Sequence, residues 1–345
     1  MKYKIGIDVS GGDYAPGEVF LGAVMARDEL KESIVLIGVQ KEIEDQARLR
    51  IGGNLSGFEV VDAPEKIDMG EPPAISVRRK RKSSIVVGCE LLKQGRIDAF
   101  VSCGNTGAMV CGASFTPGLI EGVERPGIAL VVPTQKGFSL MVDVGANIDP
   151  KPLQLLHYGA MASVYYGLVL GKTNPTVGLL NIGEEASKGS GFLKETHKLF
   201  AASSLNFIGN LEAKGLFAGD CDCVVCDGLV GNIALKVTES CAEFLGRAMV
   251  EKVKKRFLGR LGLLLAMPGL KDFKAMLDYS EYGGAPLLGV DGVVIIGHGR
   301  SNSVAVKNAI KAAVKELDRD VNTEIKRKIN EFYQNDKLMQ ILSAQ

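Results

Sequence analysis

Short runs in which every residue is apolar alternate along this chain with longer stretches whose apolar residues recur every three or four positions. The short runs predict strands over Lys4–Val9, Ser33–Val39, Phe58–Asp62, Asp98–Cys103, Ile128–Val132, Ser139–Val144, Thr176–Ile182, Asn206–Ile208, Val224–Cys226 and Val293–Ile296. Several are apolar on both faces, as strands buried in a parallel sheet must be. The longer stretches predict helices over Gly17–Lys31, Ser84–Gln94, Pro152–Leu170, Gly191–Phe200, Asn232–Phe257 and Ser301–Asp320. Pro16 stands where a helix can begin, since the first turn makes no use of its missing N–H. The alternation predicts an α/β protein with helices on both faces of a mainly parallel sheet. No internal repeat and no low-complexity linker divides the chain. Lys151–Pro175 reads as a lobe-crossing helix plus a turn. Residues 1–345 are therefore expected to form a single two-lobed domain, with a protruding helical hairpin over about 232–280.

Many of the strands end in polar, glycine-containing elbows. These are GIDVSGGD (6–13), SCGNTGA (102–108), VDVGAN (142–147), LLNIGEE (179–185), VCDGLVGN (225–232) and IIGHGRSN (295–302). Open parallel sheets bind ligands beyond the carboxyl ends of their strands. Glycine lets the backbone approach a ligand closely, and the N–H groups of a following helix suit an anion. Any one elbow also fits an ordinary capped turn. Six together predict a polar cleft at one edge of the sheet, for a ligand that carries a phosphate or a carbonyl.

The common nucleotide and nucleophile signatures are missing. There is no G-x-G-x-x-G, and GLVLGKT (167–173) is one residue short of a P-loop and runs into Asn174-Pro175. IGIDVSGGD hints at the phosphate loop of the actin and sugar-kinase fold, but a short hairpin turn has the same letters. No nucleophile elbow is found. Of the three histidines, His157 and His197 fall in helical patterns, whereas His298 stands between two glycines at a strand end. CDCVVCD (221–227) offers three cysteines with no second cluster to complete a zinc site, so it reads as strand core and no metal is expected.

Composition narrows the classes. A net charge of +1 gives no global field for nucleic acid, and none is expected as a partner. The opening MKYKIGIDVS reads as a first strand rather than a signal peptide, and seven scattered cysteines suit a reducing cytoplasm. Two segments suggest partners. Arg78, Arg79, Lys80, Arg81 and Lys82 form a basic run beside a helix start, able to grip an acidic surface. In 252–273, Phe257, Leu258, Leu261, Leu264 and Leu265 fall at helical spacing, flanked by Lys254, Lys255, Arg256, Arg260 and Lys271. That pattern suits a helix lying in a membrane interface, a dimer contact, or a lid over an apolar substrate.

Together these segments resemble one family, the bacterial phosphate acyltransferases of phospholipid synthesis. The matching stretches include GGDYAPGE, RRKRKSSI, SCGNTGA, DVGAN, KPLQLLHYGAMASVYY, GLLNIGEEASKG, NFIGNLEAKGLFAGDCDCVVCDGLVGN and YGGAPLLGVDGVVIIGHGRSN, in the family's order from residue 11 to 302. Two departures stand out: Val9-Ser10 replaces the family's Ala-Met, and Cys103 replaces its Ala. The resemblance implies a Rossmann-like fold related to phosphotransacetylase and a homodimer. It implies acyl transfer from acyl carrier protein to inorganic phosphate, with no cofactor. It also implies cytoplasmic work at the membrane surface, beside a downstream glycerol-phosphate acyltransferase. With the elbows, it places Gly104, Asn105, Thr106, Gly107, Asp143, Asn147, Glu184, Glu185, Asn232 and Ser301 at the phosphate and carbonyl site. Lys188, Asp227 and His298 are expected to be catalytic, with proton transfer at Asp227 or His298. Arg78–Lys82 would recruit the carrier protein. The rival readings are a phosphotransacetylase-like enzyme using a coenzyme A thioester, a non-catalytic carrier-protein or membrane scaffold, and an actin-fold kinase.

Overall fold

The computed structural model describes residues 2–255, 257–277 and 283–343; of residues 257, 261 and 270–277 it describes the backbone only. Among the described residues eleven strands form one sheet. They are β1 (Lys4–Asp8), β2 (Ser33–Gly38), β3 (Phe58–Asp62), β4 (Ala99–Ser102), β5 (Gly127–Thr134), β6 (Gly137–Val142), β7 (Val177–Leu180), β8 (Phe207–Leu211), β9 (Cys223–Val225), β10 (Ala285–Leu288) and β11 (Val293–Ile296). Their spatial order is β3-β2-β1-β4-β11-β10-β5-β6-β9-β7-β8.

The sheet is two parallel halves joined by an antiparallel centre. β3, β2, β1, β4 and β11 run one way. β10 and β5 are antiparallel to their neighbours, so β6, β9, β7 and β8 run the opposite way. The expectation of a mainly parallel sheet holds, but the strand directions split the six elbows into two sets. Those of β1, β4 and β11 form one, and those of β6, β9 and β7 the other. The sequence pattern did not reveal β10: it is four residues long and contains Pro286.

Helices cover both faces. They are α1 (Gly17–Leu30), α2 (Gln40–Ile51), α3 (Pro73–Arg79), α4 (Ser84–Lys93), α5 (Thr106–Phe115), α6 (Pro152–Tyr165), α7 (Gly191–Ala202), α8 (Ala213–Ala218), α9 (Gly228–Lys254), α10 (Phe257–Leu277), α11 (Ser303–Asp318), α12 (Val321–Tyr333) and α13 (Asp336–Ser343). One core layer packs Phe20 and Ala23 of α1 and Ile310 of α11 on β1 and β2. A second packs α6, α7 and α12 on the β6–β9–β7 half, around Tyr158, Phe200 and Phe332. A third, on the opposite face, joins the halves through α4, α5 and α8. The P-loop-like letters resolve as the end of a helix: Tyr166–Leu170 is a single π-helical turn closed by Gly171 at φ 85°. α9 is the exception to burial. Only its first-turn Gly228 and Gly231 are buried, and the rest lies on the surface with α10. No described helix is long and apolar enough to cross a membrane.

Candidate functional site

The elbows of β1, β4 and β11 meet around one buried carboxylate. Asp8 ends β1 with 1% exposure, and Ser102 ends the neighbouring β4 with the same. Ser102 Oγ donates to Asp8 Oδ2 at 2.6 Å and accepts from Gly104 N at 3.0 Å. The Ser10 N–H donates to Asp8 Oδ1 at 3.1 Å. Burial raises the Asp8 carboxyl above the usual range; the hydrogen bonds from Ser102, Ser84 and Ser10, and the Lys66 charge, oppose it. Gly11 lies directly on this group: a Cβ there would stand 2.3 Å from Asp8 Oδ2. Only glycine fits that approach. β11 closes the cluster, with Gly297 N donating to Ser102 O at 2.8 Å and Asp13 N to Gly299 O at 2.7 Å. Cys103, the departure from the family pattern, is buried, hydrogen-bonds to Ser301, and has its thiol pushed up to about 12 by burial.

Asn105 does a different job from the one its sequence suggests. It was expected to offer donors to a ligand. Its Oδ1 instead caps α5, accepting from Ala108 N at 2.9 Å. Its Nδ2 donates to the carbonyls of Asp68, Met69 and Glu71, each at 3.1 Å. The amide therefore clamps a strap, residues 65–72, beside the elbow. Lys80 holds the same strap, with its ammonium 2.5 Å from Glu71 Oε1 and 2.6 Å from Lys66 O. Hydrogen bonds from Asp68 N and from Lys80 pull Glu71 down to about 2. Lys80 thus turns inward, while Arg78, Arg79, Arg81 and Lys82 remain exposed. Thr106 and Gly107 begin α5, both half-buried; a Cβ on Gly107 would strike Pro73, so α3 packs closely there.

His298 stands in the β11 elbow, where its Nδ1 accepts from Arg300 N at 3.1 Å. Its Nε2 lies 3.5 Å from Lys236 Nζ of α9. Burial, together with the Lys236 and Arg300 charges, lowers its pKa. Ser301 N donates to His298 O, and Asn302 caps α11 through Ala305 N.

The second set of elbows is bound up mainly in its own turns. Asp143, fully buried after β6, accepts from the N–H groups of Ile128, Gly145, Ala146 and Asn147 at 2.7–3.0 Å. Burial still raises its carboxyl. Asn147 donates to Pro126 O and Tyr158 OH, both at 2.7 Å. Asp227 caps α9, accepting from Val230 N at 2.8 Å, which starts that helix four residues earlier than its apolar spacing suggests. Asn232 is exposed beside Gly145. The loop after β7 is pinned by Asn181 on Lys188 O and Asn210 on Glu185 O. Lys188, Glu184 and Glu185 are exposed there, and Glu184 pairs with Lys214 at 3.4 Å.

α9 is what connects the two sets. Asn232 sits beside the β6 elbow, and Lys236, one turn further along the same helix face, reaches the β11 elbow. Sequence reasoning quoted Asp8 and Ser102 inside their elbows without giving them roles, and it missed Lys236. A polar residue ending a wholly apolar strand was the available signal for the first two. Among the described residues no cluster of His, Cys, Asp or Glu is placed to hold a metal; Cys221, Cys223 and Cys226 are buried at β9. On α10, Leu258, Leu264 and Leu265 are 78%, 69% and 78% exposed. The side chains of Phe257 and Leu261 lie outside the described residues.

Residues 3–324 match the family described as "Fatty acid synthesis protein". A protein from Pelotomaculum thermopropionicum named "Phosphate acyltransferase" is 44% identical over 328 residues, covering 94% of this chain and 95% of that one. One of the same name from Aquifex aeolicus is 43% identical over 322 residues, covering 93% and 95%. Among solved structures, a phosphotransacetylase from Streptococcus pyogenes superposes with a TM-score of 0.61 at 17% identity, covering 92% of this chain and 94% of that one. The EutD phosphotransacetylase from Staphylococcus aureus gives 0.59 at 17%, covering 91% and 94%. At such identities these two establish the fold alone.

Proposed function

The chain belongs to the fatty acid synthesis protein family, among relatives named phosphate acyltransferase, and on that basis we propose that it transfers an acyl group from a thioester of acyl carrier protein to inorganic phosphate. The structural observation that supports the proposal is the buried Asp8–Ser102–Gly104 cluster with Gly11 packed on it, at which the backbone of three elbows meets.

The chemistry balances without a nucleophile from the protein. A phosphate oxygen of HPO4²⁻ attacks the thioester carbonyl carbon. The C–O bond forms, the C–S bond breaks, and the proton that phosphate carried ends on the departing thiol. The products are an acyl phosphate dianion and a free thiol. The protein has two tasks: to hold phosphate against the carbonyl, and to stabilise negative charge on the carbonyl oxygen. Backbone N–H groups at the head of α5 are assigned the second task. The buried Asp8 and Ser102 position that backbone. Lys188, on its exposed loop, adds positive charge on the phosphate side.

Arg78, Arg79, Arg81 and Lys82 are assigned to the acidic surface of the carrier protein, with Lys80 reserved for the strap. The exposed apolar stripe of α9 (Val230, Ile233, Val237 and Phe244) is assigned to a second copy of the chain. Leu258, Leu264 and Leu265 of α10 are assigned to the inner face of the membrane, each contributing about 1.5–3 kcal/mol if fully buried. The chain then works as one two-lobed domain with a projecting α9–α10 hairpin, in the cytoplasm at the membrane surface. An amphiphilic product would be released there, beside the acyltransferase that consumes it.

The test is donor choice. Purified protein is given phosphate with either acyl carrier protein or coenzyme A carrying the same acyl chain, and acyl phosphate is trapped as hydroxamate. The proposal expects the carrier-protein thioester to be preferred by at least about tenfold in kcat/KM. Equal use of both, or preference for coenzyme A, would favour a phosphotransacetylase-like enzyme.

A further inference from the structure

We propose that Ile75 and Phe115 are the apolar anchors of a docking surface for acyl carrier protein, formed where α3 lies along α5 and ringed by the exposed cations of the basic run. The proposal rests on the carrier-protein reading above and adds to it the side chains that carry the contact.

α3 and α5 lie side by side and run the same way. Pro73, at the start of α3, rests on Gly107, at the start of α5: a Cβ on Gly107 would stand 2.5 Å from Pro73 Cγ. Further along, the charge of Arg78 reaches Cys111, where it opposes the rise that burial gives the thiol. Ser76 and Val77 of α3 are buried. Ile75, Arg78 and Arg79, at i, i+3 and i+4, share its exposed face. Phe115 follows Cys111 by four residues, on the same side of α5. Arg78 therefore stands between the two apolar side chains, one turn from Ile75 on its own helix and facing the turn before Phe115 on the other.

Ile75 is 52% exposed and Phe115 67%. Single exposed apolar side chains are ordinary on a protein surface. Two on adjoining helices, with guanidinium groups between and beside them, have the anatomy of a protein interface, an apolar centre within a charged rim.

Charge decides the partner. Between Glu71 and Glu90 the chain carries five cations and no acid, and between Asp98 and Glu121 it carries no charge at all. Among the described residues, Lys80 is the one of the five held in an ion pair, with Glu71. Arg78, Arg79, Arg81 and Lys82 are left for an acidic surface. A second copy of this face would set these cations against their own kind. The position also suits a donor. Phe115 is nine residues from Thr106, about 14 Å along the helix at about 1.5 Å per residue. A carrier seated at Phe115 can send its thioester arm along α5 to the N–H groups at the head, which a lipid surface there would have no means to do.

The experiment measures docking apart from turnover. Holo acyl carrier protein, with a free thiol and no acyl group, is titrated calorimetrically into the full-length protein and into Ile75→Ser, Phe115→Ser, Phe115→Leu and Arg78→Gln, at low and at high salt. Melting temperature and light-scattering mass are taken for each; Ile75 and Phe115 are exposed, so their replacement leaves the core intact. Ile75→Ser and Phe115→Ser should each weaken the carrier by about fivefold to fiftyfold, as lost interface anchors do. The factor should be the same at both salts, since salt does not screen an apolar contact. Phe115→Leu should keep most of the affinity. Arg78→Gln should weaken the carrier at low salt and matter less at high salt. Parental affinity in Ile75→Ser and Phe115→Ser would overturn the anchors, and so would a parent protein that does not bind the holo carrier. A changed mass in either serine variant would make the face a contact between copies. Loss of binding to phosphatidylglycerol vesicles with carrier affinity intact would make it a membrane contact. Either result overturns the proposal. If the carrier docks through the anchors but no acyl phosphate forms, the reaction reading falls and the surface stands. If acyl phosphate forms from the carrier thioester while the variants bind the carrier like the parent, the reverse holds.

Discussion

Ser102 Oγ donates to Asp8 Oδ2 at 2.6 Å, joining the ends of two neighbouring strands in a place neither side chain shares with solvent. The bond favours the ionised form of Asp8, which burial disfavours. Its loss therefore matters most where Asp8 is ionised. Ser102→Ala should cost about 1–3 kcal/mol at pH 7.5, the penalty for a buried acceptor that loses its partner. The cost should shrink as the pH is lowered and Asp8 takes up a proton. Urea melts across a pH series measure it; a cost that does not change with pH would show that Asp8 keeps one protonation state throughout.

Asn105 has two functions that a pair of substitutions separates. Asn105→Asp keeps an oxygen to cap α5 but loses the N–H donors to the strap and sets a charge against three carbonyls. Asn105→Ala loses cap and clamp together, the cap alone being worth about 1 kcal/mol. Hydrogen exchange over residues 65–72 should quicken in both variants, while melting temperature falls further in the alanine one. Strap exchange at the parental rate in Asn105→Asp would show that other contacts suffice to hold it.

The basic run is divided in the structure, and its variants should divide as well. Arg79→Glu with Arg81→Glu, both on exposed residues, should raise KM for acyl carrier protein several-fold at low salt and flatten its salt dependence. Lys80→Glu should instead loosen the strap, because it places a carboxylate against Glu71. If the double variant keeps the parental salt slope, the run is a solvated face.

Glu316 of α11 is buried, its Oε2 has no hydrogen-bond partner among the described residues, and burial raises its carboxyl from 4.5 to about 8. Between those two values the folded chain holds a proton that the unfolded chain has lost. Stability therefore falls as pH rises through that window. His157, buried and pushed down to about 4, acts in the opposite sense below its ordinary value of 6.5. Comparison with Glu316→Gln cancels the histidine. The variant should match the parent near pH 5 and exceed it by a few kcal/mol, on the order of 3, near pH 8.5. Parallel stability curves would mean that Glu316 is ionised in the fold.

The strands that hold the site were legible because β4 and β11, and β1 after its first residue, are buried on both faces and read as largely apolar runs. What the pattern could not give was direction. β10, four residues long and one of them proline, and β5 are each antiparallel to both neighbours, so elbows expected at one edge belong to opposed halves. The side chains at the elbows were legible as polar but not as ligands. Asn105, Asp143 and Asn147 suit ligand binding and suit capping turns equally well, and they are spent on turns. Lys236 was hidden because it lies on a long helix among other charged residues, and only the fold brings it to His298.

The central claim is that phosphate, rather than water or a protein side chain, receives the acyl group. Phosphorus NMR of a reaction holding acyl carrier protein thioester, inorganic phosphate and the protein, with free thiol titrated in parallel, tests it most directly. The account predicts a new acyl phosphate resonance that grows in step with thiol, one for one, and no thiol when phosphate is left out. Thiol released without acyl phosphate, or at the same rate in the absence of phosphate, would contradict it.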